Sequence, residues 1–204
     1  AAMNRFWRLG PRASRLVVPG ALLLALSLSG CAGLLVSGAA TGISVAHDRR
    51  TTGSVVDDQT IEFRISNQLT LQLPPGNQIG VTSYNGAVLL TGEASSAQAR
   101  QRAEVIARDI EPPVRVVYNE LVVGRPSSLS SQSNDAVITT KVKTALFQIT
   151  TIPDFDPSRV KVVTARSVVY LMGLVKPVEA DAAADVASRV EGVRQVVTLF
   201  EYIN

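Results

Sequence analysis

One cysteine and one histidine occur in 204 residues, and those two scarcities exclude a good deal of chemistry. A lone thiol builds neither a disulfide framework nor a thiolate metal cluster. A lone imidazole, His47 in a polar-to-apolar stretch, argues against a Ser-His-Asp triad and against a His-rich zinc site. There is no glycine-rich loop of the kind that cradles phosphate. The longest apolar run, at 16–28, falls short of the roughly 20 residues that span a bilayer as a helix. Acidic residues are missing from the first 30 positions, and all 17 of them follow Cys31, whereas 4 of the 20 basic residues precede it. Past Cys31 the balance is 16 basic against 17 acidic, or −1. A nucleic-acid binder carries a clear basic excess, so no nucleic-acid partner is expected.

What is present before Cys31 is a three-part pattern. Arg5, Arg8, Arg12 and Arg15 make a basic front, 16–28 is rich in leucine and alanine, and the small residues Ser29 and Gly30 adjoin the cysteine. This is the form of a secretory signal, and Leu28-Ser29-Gly30-Cys31 reads as a lipobox. Residues 1–30 are then a signal peptide, and 31–54 an acylated N-terminus and tether. An uncleaved anchor and a secreted protein with an incidental thiol are the other readings. The short run opposes the first, and the spacing of Leu, Ser, Gly and Cys opposes both. One acyl chain binds a membrane only marginally, and durable attachment needs more than one hydrophobic signal. The segment resembles bacterial lipoproteins, which implies several acyl chains on Cys31 and no other cofactor. In such proteins an aspartate after the cysteine favours the inner membrane. Ala32 therefore implies lipid anchoring in the outer membrane, facing the periplasm.

Beyond a small-residue spacer, the chain reads as two similar units. In the first, Asp57 or Asp58 is expected to cap a helix with Ile61, Ile65 and Leu69 at spacing four, stopped by Pro74-Pro75-Gly76. Strands follow at 79–84 and 87–91, joined by Asn85-Gly86 as a hairpin turn, with Gly92 ending the second. Ser95 or Ser96 caps a helix to about 110, and 114–123 is a third strand. A stretch of serine and proline at 125–133 reads as linker. In the second unit Asn134 or Asp135 is expected to cap a helix with Ile138, Val142 and Leu146. Strands at 160–164 and 168–172 are closed by Gly173. A helix at 178–190 carries Val178, Ala182, Val186 and Val190 on one side, and the last strand is 195–202.

The order of elements repeats. Ile61, Ile65 and Leu69 match Ile138, Val142 and Leu146, while Val81 matches Val162, Gly92 matches Gly173, and Val114-Arg115 matches Val193-Arg194. The expected fold class is α+β: two tandem αββαβ domains at 55–124 and 134–204, each a three-stranded mixed sheet covered by two helices. At about 70 residues apiece the units have modest cores. The segments Asn134 to Val142, Val169-Tyr170-Leu171-Met172-Gly173-Leu174-Val175, and Ala182 to Val190 are close to the BON domain, a bacterial αββαβ module, and the repeat resembles that family throughout. Two such domains behind a lipobox resemble dual-BON outer-membrane lipoproteins. That resemblance implies a non-enzymatic envelope protein that binds anionic phospholipid, such as phosphatidylglycerol or cardiolipin, through the first helix of its second domain. It further implies gathering at the division site, support of outer-membrane integrity and a link to the β-barrel assembly machinery.

That helix can be tested by rotation at about 100° per residue. Ile138, Val142, Ala145, Leu146 and Ile149 share one arc, which is the core face. Phe147 falls about 180° from Ile138, with Thr140 and Lys143 beside it and Val137, Thr144 and Lys141 on one flank. An aromatic ring, a valine, two hydroxyls and two ammonium groups suit an anionic bilayer surface, where each lysine is worth about 1 kcal/mol. The matching positions of the first unit, Thr60, Ser66 and Thr70, give a face that reads as mostly uncharged and polar. The balance there is 5 basic against 8 acidic over 57–123, but 8 against 8 over 134–204. Three alternatives stay open: Phe147 folds under the following loop, Phe147 packs on the other domain, or the domains act as a scaffold for an envelope partner with the acyl anchor as the only lipid contact. Glu93, Glu104, Asp109 and Glu111 show no acid–base pairing. Asp154 and Asp156 offer too few oxygens for a calcium site of 6–8 ligands, so no metal site is expected.

Overall fold

Ile61, Ile65 and Leu69 return to one side of the chain every fourth residue. In the computed structural model, which describes residues 48–204, they are the buried stripe of α1 (Thr52–Gln72). The order continues as β1 (Gln78–Tyr84), β2 (Ala87–Ala94), α2 (Ala97–Arg108), β3 (Val116–Asn119), β4 (Val122–Val123), α3 (Leu129–Leu146), a 3-10 turn (Pro157–Arg159), β5 (Lys161–Ala165), β6 (Val168–Val175), α4 (Pro177–Ser188) and β7 (Gln195–Tyr202). This is the expected α+β architecture, with αββαβ occurring twice. The signal-peptide boundary, Cys31, Ala32 and His47 lie outside the described residues.

Each sheet has its second strand in the middle. β2 pairs antiparallel with β1 and parallel with β3 and β4, and β6 pairs antiparallel with β5 and parallel with β7. In the first domain the expected single third strand is broken in two. It divides at Glu120-Leu121, where Leu121 turns into the core. Gly92 and Gly173 do not end their strands, which run on to Ala94 and Val175. A Cβ at Gly92 would run into the Gln78 carbonyl, and one at Gly173 into the Arg159 carbonyl. These glycines allow close backbone approach within a strand.

Both central strands are buried on two faces. Val88 and Leu90 face α1 and α2, and Val169 and Leu171 face α3 and α4. The alternate residues Ala87 and Leu89 join Tyr84, Val168, Tyr170 and Met172 in a third cluster, where the two sheets meet face to face. This explains why the first half of β2 and the whole of β6 read as apolar runs rather than alternating ones. It also relieves the small-core problem, since each fully buried side chain such as Leu89 or Met172 contributes about 1.5–3 kcal/mol.

The starts of α1 and α3 differ from the sequence expectation, and the reason is shared. Thr51 caps α1, its hydroxyl accepting from Ser54 N at 3.1 Å, and Ser128 caps α3, accepting from Ser131 N at 3.2 Å. The expected linker 125–133 is therefore helical from Leu129 onward, and the tether 31–54 gives its last residues to α1. Asp58 and Asp135 sit inside their helices, buried. Asp58 accepts from Ser83 Oγ at 2.6 Å, Asn85 N at 2.6 Å and Gly86 N at 2.8 Å. Asp135 accepts from Arg166 N and Ser167 N, both at 2.8 Å. Each carboxylate pins its own domain's two-residue hairpin turn. All four turn residues have positive φ, from 52° to 74°, as a type I′ turn requires.

α4 is also rotated from expectation. Its buried residues are Glu179, Ala180, Ala183 and Ala187, and Val178 is exposed. Glu179 is drawn inward by polar partners. It accepts from Lys176 N at 2.7 Å, closing the first turn of the helix, and from Arg49 at 2.5 and 2.8 Å. Arg49 also donates to the Leu174 carbonyl at 3.0 Å. Next in sequence, Arg50 lies 3.9 Å over the Tyr84 ring and pairs with Asp58 at 2.8 Å. Two adjacent residues ahead of α1 thus hold one domain each.

Candidate functional site

The last three turns of α3 carry the surface singled out by sequence. Val137, Thr140, Lys141, Lys143, Thr144 and Phe147 are all exposed, opposite the buried Ile138, Val142 and Leu146. Phe147 closes the helix, its N–H reaching the Ala145 carbonyl, and is 73% exposed. It does not fold under the following loop. The six residues are not equivalent. Thr140 donates its hydroxyl to the Ala136 carbonyl at 3.0 Å and Thr144 to the Thr140 carbonyl at 2.9 Å. Those hydroxyl protons are held by the helix itself. Lys141 pairs with Glu191 at 3.0 Å. Lys143 has no carboxylate within ion-pair distance among the described residues. The free cation and the free ring therefore stand four residues apart on one face.

The structure adds residues that rotation of a single helix could not find. Between the end of α3 and the segment leading into β5 lies a groove of about 250 Å³, lined by Lys143, Leu146, Phe147, Ser158, Val160 and Lys161 among others. Strand alternation gives Lys161 as exposed beside the buried Val162. Its position near Lys143 is a matter of tertiary packing.

The first domain corrects one sequence expectation. Its outward helix face is not mostly polar: Val56, Phe63 and Leu71 on α1 are 57%, 72% and 71% exposed. What distinguishes the two helices is charge. Asp57 and Glu62 flank the α1 face, where the sole base, Arg64, donates to the Glu111 carbonyl at 2.8 Å. The α3 face carries two lysines, and its one acid, Asp135, is buried.

Three of the remaining acids, Glu93, Glu104 and Asp156, have structural partners. Glu93 accepts from Ser127 and pairs with Arg166 at 3.2 Å. Hydrogen bonds from Arg108 and then Asn119 hold the Glu104 carboxyl below its ordinary range. Asp156 caps the 3-10 turn through Ser158 N at 2.9 Å. Among the described residues no three His, Cys, Asp or Glu side chains cluster to hold a metal ion, and no helix is long and apolar enough to cross a membrane.

Comparison with known proteins agrees with the repeat. The family model described as the BON domain matches residues 57–125 and 134–204. The outer membrane lipoprotein DolP of Haemophilus influenzae is 36% identical over 87% of this chain and 91% of its own length. A 21 kDa hemolysin of Actinobacillus pleuropneumoniae is 36% identical over 76% of this chain and 79% of its own.

Proposed function

The chain belongs to the BON domain family and is an outer-membrane lipoprotein, and we propose that it binds anionic phospholipid through the exposed face of α3, without catalysis, and so supports outer-membrane integrity. One observation carries this reading: Phe147 stands 73% exposed next to Lys143, a cation with no carboxylate partner among the described residues. An exposed aromatic beside a free ammonium group fits the boundary between acyl chains and anionic headgroups, where ring and charge gain together. An acyl anchor on Cys31 would keep the face close to a leaflet, so weak individual contacts suffice through effective concentration.

The test uses the acylated full chain in zwitterionic bicelles. Adding phosphatidylglycerol should move the amide signals of α3 and leave those of α2 in place. Phe147→Glu and Lys143→Glu should each remove the response. An undiminished response in both variants rejects the site.

A second reading rests on the exposed Val56, Phe63 and Leu71 of α1. That stripe would dock on an envelope protein such as the β-barrel assembly machinery, the anchor being the only lipid contact. Lipid-independent crosslinking from Phe63 to that machinery would favour it.

A further inference from the structure

The groove beside α3 has a composition unlike the open helix face. Its most buried lining residues are Leu146 and Val160, 1% and 5% exposed, and the exposed Phe147 lines it too. Its two charged lining residues are Lys143 and Lys161, from separate elements, and no carboxylate lines it. Lys161 has a long contact of 3.8 Å to Glu62, whose carboxylate already accepts from Ser83 N at 2.8 Å. Lys143 has no such contact among the described residues. Asp156, the acid nearest Lys161 in sequence, accepts from Ser158 N through its carboxylate. Two ammonium groups thus border one concavity with little to neutralise them.

We propose that this groove seats the phosphodiester of a single anionic lipid headgroup, held between Lys143 and Lys161, with the lipid's glycerol and chains leaving over Phe147. The proposal rests on the phospholipid reading of α3 and narrows it to one subsite. Size supports a headgroup and not a whole lipid, since about 250 Å³ lies below the roughly 300–1,000 Å³ of sites that enclose an entire ligand. Charge selects the class. A phosphodiester carries one negative charge and several acceptor oxygens, and lysine is a compact donor for phosphate. A positive charge on the headgroup, as in ethanolamine, would face two lysines across a short distance, whereas the neutral glycerol of phosphatidylglycerol would not. The Ser158 hydroxyl supplies a further donor.

The experiment uses the acylated full chain in phosphatidylcholine bicelles, with lysine side chains labelled at Cε. Phosphatidylglycerol is then added, and in a separate arm inorganic phosphate. The expected result is a saturable, joint shift of the Lys143 and Lys161 signals with phosphatidylglycerol and little with phosphate. Lys161→Gln should weaken the lipid dependence about fivefold, while Lys176→Gln, at an exposed lysine that does not line the groove, leaves it unchanged. If the α3 amides respond but Lys161 does not, and Lys161→Gln is without effect, the subsite is overturned while the helix face stands. If neither responds, both readings fall. Equal saturation by inorganic phosphate overturns the assignment to lipid.

Discussion

The two domains solve one problem in the same way and a second problem differently. Each turns its central hairpin with two residues at positive φ and pins the turn with a carboxylate from its first helix, Asp58 or Asp135. Their outward helix faces then diverge. α1 exposes apolar side chains among acids, and α3 exposes an aromatic among lysines. The shared element lies where backbone amides need acceptors, so folding constrains it. The divergent element lies where folding imposes little, which leaves it free to differ with function.

The pinning carboxylates give the largest expected effects. Asp58 holds Ser83, both turn amides and Arg50, while Asp135 holds two turn amides. Removing one partner of a buried charge pair costs about 3–5 kcal/mol, and losing hydrogen bonds to a charged group about 1.5–3 kcal/mol each. Asp58→Ala should therefore destabilise by about 5 kcal/mol and Asp135→Ala by about 3 kcal/mol, read from urea unfolding midpoints. Equal losses would show that the Ser83 and Arg50 contacts of Asp58 add nothing to the shared turn bonds, and a reversed order would break the equivalence drawn between the turns.

Arg49 and Arg50 give the next effect, because one grips the second domain and the other the first. Burial disfavours the Glu179 carboxylate, but hydrogen bonds from Arg49 and from the Lys176 backbone outweigh it and hold its pKa below the ordinary value. A depressed folded pKa adds stability that is present above the unfolded value, about 4.3, and is lost as pH falls through the folded one. Arg49→Ala should cost about 2 kcal/mol at neutral pH and flatten the acid limb of the stability profile. An acid limb as steep in the variant as in the parent would show that Glu179 is not its source.

The repeat, the order of elements and the core positions of α1 and α3 were legible because period-four apolar residues survive in both halves. The starts of α1 and α3 were not, whereas Ser96 caps α2 as its sequence suggests. Asp58 and Asp135 have the residue type and place of an N-cap, and only the tertiary contact with a distant turn shows otherwise. The first turns of α3 have no buried residue, so 129–133 carries no periodic signal and its serines resemble a linker. α4 was misread by one position because a charged residue, Glu179, occupies its core stripe, and its partner Arg49 is far off in sequence. The exposed set on α3 followed from rotation alone. The pairing of Lys141 and the approach of Lys161 depend on elements that rotation of one helix does not contain.

The smallest expected effect separates the two lysines of α3. Lys141 is paired with Glu191, whose side chain is 91% exposed, and such exposed pairs are worth roughly 0–1 kcal/mol. Glu191→Gln should leave stability within about 0.5 kcal/mol and free Lys141 for headgroups. Dependence on phosphatidylglycerol should then strengthen by no more than about fivefold, measured on the acylated chain in bicelles. If Lys143 and Lys161 are the cations that meet the lipid, the gain should fall well short of that bound, because Lys141 stands on the flank of the face and does not line the groove. A gain at the bound, together with an unaltered response in Lys143→Gln, would move the contact from the groove to the flank of the helix and narrow the contrast with α1 to the single charge at Lys141.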